Sequence, residues 1–261
     1  MSHRLNVALG QYDIGWHSPE ASLAAAETLI TRAKAGGARL VVLPEMATTG
    51  FTMDKSQATP LQGPVVSRLG ELAARSGVWL VAGVAVREDE GSDTAAPRTV
   101  NTAIAFDPEG RVAAVHRKQR LFAYGGEHEH YRAGTRPTCL LIDGVRTALF
   151  ICYELRFPEL FGAVARDVDA MVLIANWPAA RHAHWDALLR ARAIENQCYF
   201  IGVNRIGSGG GLTYDGGSAA FTPWGEDMAP ETASGVPIVT LDTRTVAEVR
   251  ERYPFLRDRV V

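Results

Sequence analysis

The sequence predicts a single α/β domain in which helices cover sheets, and three observations carry that expectation. Short β-branched runs alternate with alanine-rich stretches of helical periodicity. Some neighbouring runs are joined by compact turn signals and others by helical stretches, so both hairpins and crossovers are expected. Finally, no repeat of fixed period and no low-complexity linker interrupts residues 1–261. The most loop-like stretch, Arg87 to Pro97, is too short to separate domains.

Each element follows from local chemistry. Leu5 to Leu9 reads as a strand. Ser18-Pro19-Glu20 opens a helix, with serine suited to the N-cap and proline to the first turn. Leu23, Ala26, Ile30 and Ala33 continue it at helical spacing, and Gly36-Gly37 stops it. Arg39 to Leu43 is the next strand, ended by Pro44. Gly63-Pro64 starts a second helix with Val65, Leu69, Leu72 and Ala73 on one face, Gly77 closes it, and Val78 to Val86 is a strand. Thr99 to Phe106 and Arg111 to His116 flank the turn Asp107–Gly110. Thr138 to Ile142 and Arg146 to Ile151 flank Asp143-Gly144, a second hairpin. Phe157 to Arg166 reads as a short helix, Ala170 to Ala175 as a fully apolar strand, His184 to Asn196 as a helix, and Tyr199 to Asn204 as a strand. The glycine-rich Gly207 to Gly217 is expected to be a long surface loop. Strands over Ser218 to Thr222 and Val236 to Leu241, and a helix over Val246 to Arg250, complete the pattern.

Composition excludes several function classes. With 27 Lys+Arg against 29 Asp+Glu, the net charge of −2 supplies no field for nucleic acid or an anionic membrane. Hydrophobic content of 47% excludes disorder as a whole-chain description. Three cysteines, Cys139, Cys152 and Cys198, make no disulfide framework, and there is no CxxC pair to hold a structural zinc. No stretch reaches the ~18 apolar residues of a membrane span, and the first residues lack a leader pattern. A reducing cytoplasm is the expected compartment.

Several familiar site patterns are absent or incomplete. Gly207-Ser-Gly-Gly-Gly-Leu212 follows a strand but lacks the third glycine and the helix of a dinucleotide site. There is no phosphate-binding P-loop and no serine nucleophile elbow. Two His-x-His pairs, His128/His130 and His182/His184, raise a metal-dependent amidohydrolase, but no further ligand set stands near them, and no metal is expected. Glu45, Lys118 and Cys152 share what those features lack, because each is carried at the end of a strand, where it can project into a common crevice. A cysteine attacks as thiolate and needs help to reach that form from a pKa of about 8.5. Glu45 is the candidate base and Lys118 the candidate cation, with a helix opening near Phe157 as a lesser aid. Attack on an amide carbonyl makes an oxyanion, for which Lys118 and the backbone N–H of Tyr153 are candidate holders. The base must then return its proton to departing ammonia.

LPE around Glu45, RKQRLF around Lys118 and CYELRFPE around Cys152 together resemble the three motif blocks of the carbon–nitrogen hydrolase (nitrilase) superfamily, in its order and rough spacing. The resemblance covers nearly the whole chain. It implies a four-layer α-β-β-α sandwich and a Glu–Lys–Cys triad working through a thioester, without a cofactor. It also implies a second glutamate between the lysine and the cysteine. Glu127 in GGEHEHYRAG matches that position best, with Glu129 as the alternative.

Within the superfamily the segments PEMATTGFTM, EHEHYRAG and HWDALLRARAIENQ bring the chain nearest to bacterial omega-amidases. That resemblance implies hydrolysis of the ω-amide of a 2-oxo dicarboxylic acid, such as 2-oxoglutaramate or 2-oxosuccinamate, in amide repair after glutamine transamination. It also implies a homodimer or larger assembly through the helix after Cys152. An aliphatic amide, N-carbamoyl amino acid or nitrile on the same machinery is the alternative, ahead of a metallohydrolase or a non-catalytic binding module. Glu154 stands where many amidase relatives carry aspartate, and Ala47 where an aromatic is more usual, implying a changed pocket width. Trp177, Phe51 and Tyr124 are candidate pocket walls, and Arg156 and Arg181 candidate partners for a substrate carboxylate. Arg192 and Asn196 are read as holding their helix to the sheet, and Cys139 and Cys198 as buried packing residues.

Overall fold

Alternation along each strand decides the architecture. In the computed structural model, which describes residues 2–88, 98–228 and 235–259, β1 (Arg4–Leu9) turns Leu5, Val7 and Leu9 to one side and Ala8 to the other. Helix α1 (Pro19–Ala35) packs on the Ala8 side through Ala26, Leu29, Ile30 and Ala33. Ser18 occupies its N-cap position but makes no side-chain cap bond, and its carbonyl takes the N–H of Ser22 at 3.1 Å instead. β2 (Leu40–Val42), β3 (Thr59–Pro60), α2 (Pro64–Ser76), β4 (Trp79–Glu88), β5 (Arg98–Phe106) and β6 (Val112–Arg117) follow. Then come the one-turn helix α3 (Glu127–His130), β7 (Thr138–Ile142), β8 (Val145–Ile151), α4 (Pro158–Gly162), β9 (Ala170–Ala175), α5 (His182–Asn196) and β10 (Tyr199–Asn204). The chain continues through β11 (Ile206–Gly209), β12 (Leu212–Asp215), β13 (Ala219–Phe221), β14 (Ile238–Asp242) and α6 (Thr243–Arg252).

Two mixed sheets result, one ordered β14-β1-β2-β4-β5-β6 with β3 added to β4, the other β13-β10-β9-β8-β7. Leu5, Val7, Leu9, Leu40, Val42 and Val81 of the first meet Leu149, Ile151, Val172, Ile174, Ile201 and Val203 of the second. Each side chain fully buried there contributes roughly 1.5–3 kcal/mol. The outer face of the first sheet is covered by α1 and α2, and that of the second by α4 and α5, through Phe161, Trp185 and Leu189. The result is the expected α-β-β-α sandwich.

Three expectations change. The helix read over Phe157 to Arg166 is confined to α4, and turns follow. The supposed loop Gly207 to Gly217 contains the hairpin β11–β12, with Gly209 opposite Leu212. Cys139, expected inside, is exposed on β7, an edge strand, whereas Cys198 is buried. Arg87 ends within β4, and residues 89–97 of the expected Arg87 to Pro97 loop lie outside the described residues. Among the described residues no helix is long and apolar enough to cross a membrane.

Candidate active site

β2 runs parallel to β1 and β4, and β9 parallel to β8 and β10, and just past the carboxyl ends of β2, β8 and β9 the chain turns into functional side chains. After β2 the chain continues along β4, where the N–H of Gly83 donates to the Pro44 carbonyl at 3.1 Å and the N–H of Ala47 to the Gly83 carbonyl at 2.8 Å. Glu45 is held between these bonds. A Cβ at position 83 would collide with the Glu45 backbone, so only glycine allows this approach. Lys118 follows β6, and its backbone N–H donates to the Asn101 carbonyl of β5 at 2.9 Å. Cys152 follows β8 at a φ of +44°, a left-handed conformation unusual for a side-chain-bearing residue. Strand-end placement thus brings together residues 45, 118 and 152.

The convergence is tight. Lys118 Nζ lies 2.8 Å from Glu45 Oε1 and 3.0 Å from Glu127 Oε2, and all three side chains are fully buried. Of the two candidate second glutamates it is Glu127 that enters the site, while Glu129 is exposed on the outer side of α3. Asn101, in the middle of β5, donates from Nδ2 to Glu45 Oε1 at 2.7 Å and to Glu127 Oε1 at 2.8 Å. The remaining carboxylate oxygens accept backbone N–H groups, Glu45 Oε2 from Asn176 at 2.9 Å and Glu127 Oε2 from Phe122 at 2.6 Å. The Asn176 side chain also donates to the Glu45 carbonyl. Cys152 Sγ donates to the Asn176 carbonyl at 3.9 Å.

Electrostatics assigns states to these groups. Burial opposes a charge on Lys118, but the carboxylates of Glu127 and Glu45 outweigh it and hold its pKa above that of an ordinary lysine. Burial and the charge of Glu45 push the Cys152 thiol well above its usual range despite Lys118. The resting sulfur is therefore a thiol, and it needs a base at the moment of attack. Alkylation of Cys152 by iodoacetamide, followed on its own peptide, is accordingly expected to keep accelerating beyond pH ~9. A plateau near the ordinary thiol pKa of about 8.5 would contradict this electrostatic assignment.

Cys152 opens onto a cavity of about 420 Å³. Phe51, Tyr153, Arg156, Trp177 and Arg181 line it. Tyr124 does not: it is 92% exposed, and the adjacent Phe122 takes the wall position, with its ring 5.9 Å from that of Tyr124 and 5.1 Å from that of Tyr153. Ala47 is buried in the helix-facing core rather than at the cavity, so it sets no pocket width directly. The Arg156 guanidinium stacks 4.9 Å from the Trp177 ring and that of Arg181 5.5 Å from Phe122. Larger depressions exist, including one of about 1010 Å³ of empty space edged by Arg166 and Arg250, but it holds no nucleophile.

Reading the sequence missed Asn101, Asn176 and the hairpin residues Leu212 and Tyr214, which close the cavity from above. The two asparagines did carry a signal, since Asn101 is the lone amide within its strand and Asn176 directly follows the fully apolar Ala170–Ala175, and such a group is buried only when it is hydrogen-bonded. Arg192 donates to the Leu155 carbonyl at 2.7 Å, and so fixes α5 to the turn that carries Cys152. The histidine pairs do not form a centre. His128 is exposed, and His182 bonds Asp215 at 2.9 Å. Among the described residues no group of three or more His, Cys, Asp or Glu could hold a metal ion.

Known proteins resemble this chain over most of its length. The carbon-nitrogen hydrolase family model matches residues 6–251. Omega-amidase YafV of Escherichia coli is 36% identical over 225 residues, which cover 85% of this chain and 84% of that protein. The 2-oxoglutaramate amidase of Bacillus subtilis is 34% identical, with 95% of each chain covered. Among solved structures, the CN-hydrolase superfamily protein XC1258 of Xanthomonas campestris, with an arsenic adduct in its active site, superposes with a TM-score of 0.88 at 33% identity, covering 99% of this chain and 98% of that one. An amidase of Nesterenkonia sp. AN1, in a variant complexed with acrylamide, gives a TM-score of 0.82 at 26% identity, covering 98% and 94%.

Proposed function

The chain belongs to the carbon–nitrogen hydrolase family and is a cysteine-dependent amidase acting on non-peptide carbon–nitrogen bonds; from that premise we propose that it hydrolyses the ω-amide of a small 2-oxo dicarboxylic acid, such as 2-oxoglutaramate, through a thioester on Cys152. In this reading Glu45 takes the thiol proton as sulfur bonds to the amide carbon. The carbonyl oxygen becomes an oxyanion held by Lys118 and the N–H of Tyr153. Collapse breaks the C–N bond, and Glu45 passes its proton to the leaving nitrogen, so ammonia departs. Water then attacks the thioester, giving a proton to Glu45, and the carboxylic acid leaves as that proton returns to sulfur. Glu127 keeps Lys118 charged and aimed throughout.

The observation that carries the substrate class is the pair of cavity arginines. Among the described residues neither Arg156 nor Arg181 has a carboxylate partner. Each lies on an aromatic ring, and Arg156 also meets His184 Nδ1 at 3.1 Å. A second carboxylate at the far end of the substrate would satisfy them. The names of the similar proteins point the same way. The proposed unit is one domain over residues 1–261, working as a homodimer through the helix after Cys152. Its three free thiols favour a reducing compartment, and the cytoplasm is the assignment.

The test is kcat/KM for 2-oxoglutaramate beside glutamine, a neutral aliphatic amide and a nitrile. Preference for 2-oxoglutaramate is expected, with no nitrile turnover, and equal rates on the neutral amide would remove the proposal. Arg156→Ala and Arg181→Ala are each expected to raise KM for 2-oxoglutaramate by about 10–100-fold, the worth of a hydrogen bond to a charged group. The neutral amide should lose little. An equal loss on both substrates would make the arginines structural.

A further inference from the structure

A third buried carboxylate, besides Glu45 and Glu127, lies behind the site and takes no part in the chemistry above. Glu154 is fully buried, and three donors converge on it. Its Oε2 accepts the N–H of Ile151 at 2.6 Å, its Oε1 accepts the N–H of Gln119 at 2.6 Å, and His116 Nε2 lies 3.1 Å from Oε2. An ionised carboxylate only accepts, so the histidine donates. Ile151 immediately precedes Cys152 and Gln119 immediately follows Lys118. His116 lies on β6 of one sheet and Glu154 follows β8 of the other. The single side chain therefore ties the two sheets together at the points where each delivers a reacting group.

Resting on the amidase reading above, we infer that Glu154, braced by His116, is a positioning residue that sets the distance and angle between the Cys152 sulfur and the Lys118 ammonium. Three features support this. The two shortest bonds go to backbone N–H groups, one on each side of the pair, so the carboxylate works as a ruler between two segments. Cys152 holds a left-handed φ of +44°, and the Ile151 bond pins the residue just before it. A neutral side chain of the same shape is a poor substitute. Glutamine at this position has one oxygen for two facing N–H donors, and its NH₂ would oppose the other. Misplacement of reacting groups by about 1 Å can cost about 10²-fold in rate.

The test compares the full-length protein with Glu154→Gln, His116→Phe and His116→Gln. Three quantities are read: kcat and KM for 2-oxoglutaramate, the rate of iodoacetamide alkylation at the Cys152 peptide, and thermal unfolding. Glu154→Gln is expected to lower kcat by about 10²-fold with KM within about threefold, and to slow alkylation. Loss of a nearby negative charge alone would speed alkylation, so the sign separates positioning from simple electrostatics. His116→Phe is expected to lose about tenfold in kcat, and His116→Gln, which can still donate, to recover most of it. Wild-type kcat and alkylation rate in folded Glu154→Gln would overturn the inference, as would a loss that only tracks the folded fraction. Should Glu154→Gln not fold, the His116 pair decides: the phenylalanine variant matching wild type, or no recovery with glutamine, would overturn it. If the wild type turns over none of the amides, the substrate proposal fails, while the alkylation rates still decide the role of Glu154.

Discussion

Cys152→Ala is expected to abolish ammonia release, with a loss on the order of 10⁴–10⁶-fold, while the protein stays folded. The asymmetry between activity and stability follows from the position of the sulfur. It sits half-buried where the inter-sheet core meets the helix-facing core, so removing it leaves a small void beside the cavity rather than a hole in close-packed interior. The carboxylate and ammonium that surround it keep each other's company: Lys118 retains Glu45 at 2.8 Å and Glu127 at 3.0 Å. A destabilisation of about 1 kcal/mol or less is expected, readable as an unfolding midpoint within a few degrees of wild type. Wild-type protein quenched during turnover should carry an acyl adduct on the Cys152 peptide by mass spectrometry, and the alanine variant none. A variant that still releases ammonia at the wild-type rate would remove the nucleophile assignment and with it the mechanism.

Why some of this site was legible in the sequence and some was not comes down to the range of the interactions. Glu45, Lys118 and Cys152 could be placed because each stands at or within two residues of the end of a strand-like run, and the period of a strand is a local property. The order of the layers follows from the same period, as when Met171, Leu173 and Ala175 of β9 face one core and Val172 and Ile174 the other. Asn101 was hidden because its partners, Glu45 and Glu127, lie 56 and 26 residues away and meet it only after the sheet has formed. Tyr124 was misplaced because its short turn, Ala123–Gly125, turns it outward while Phe122, just before the turn, faces the cavity, a choice made by packing and not by composition. The hairpin over the cavity was available in principle. Gly210 and Gly211 take φ values of +57° and +78°, the twin positive angles of a tight two-residue hairpin turn, for which Gly-Gly is a known signal. The alternating residues beside it are too few and too polar for the period to register.

Lys118→Met should give the second large effect, and here activity and stability should fall together. Methionine fills about the same volume but carries no charge, so Glu45 and Glu127 would lose the cation that now lies between them. Breaking a buried ion pair by removing one partner typically costs ~3–5 kcal/mol, because the remaining charge is stranded away from water. Asn101 still bridges the carboxylates, which argues for the lower end of that range. Linkage gives the prediction a sign. In the wild type the folded pKa of Lys118 lies above the unfolded value, so its contribution is fully present below about pH 10.4 and is constant across the neutral range. In the variant the folded chain gains by taking up a proton between the two stranded carboxylates. Its stability should therefore rise as pH falls from about 7 to about 5, a trend the wild type is not expected to share there through this site. Denaturant unfolding at several pH values reads this directly. Turnover should drop by at least about 10²–10³-fold, the usual cost of one oxyanion donor, and acidification should not restore it, since a neutral carboxyl pair cannot replace the ammonium. A variant as stable as wild type at neutral pH, or one whose stability does not rise as pH falls from about 7 to about 5, would show that the three buried charges are not coupled in the way their distances require.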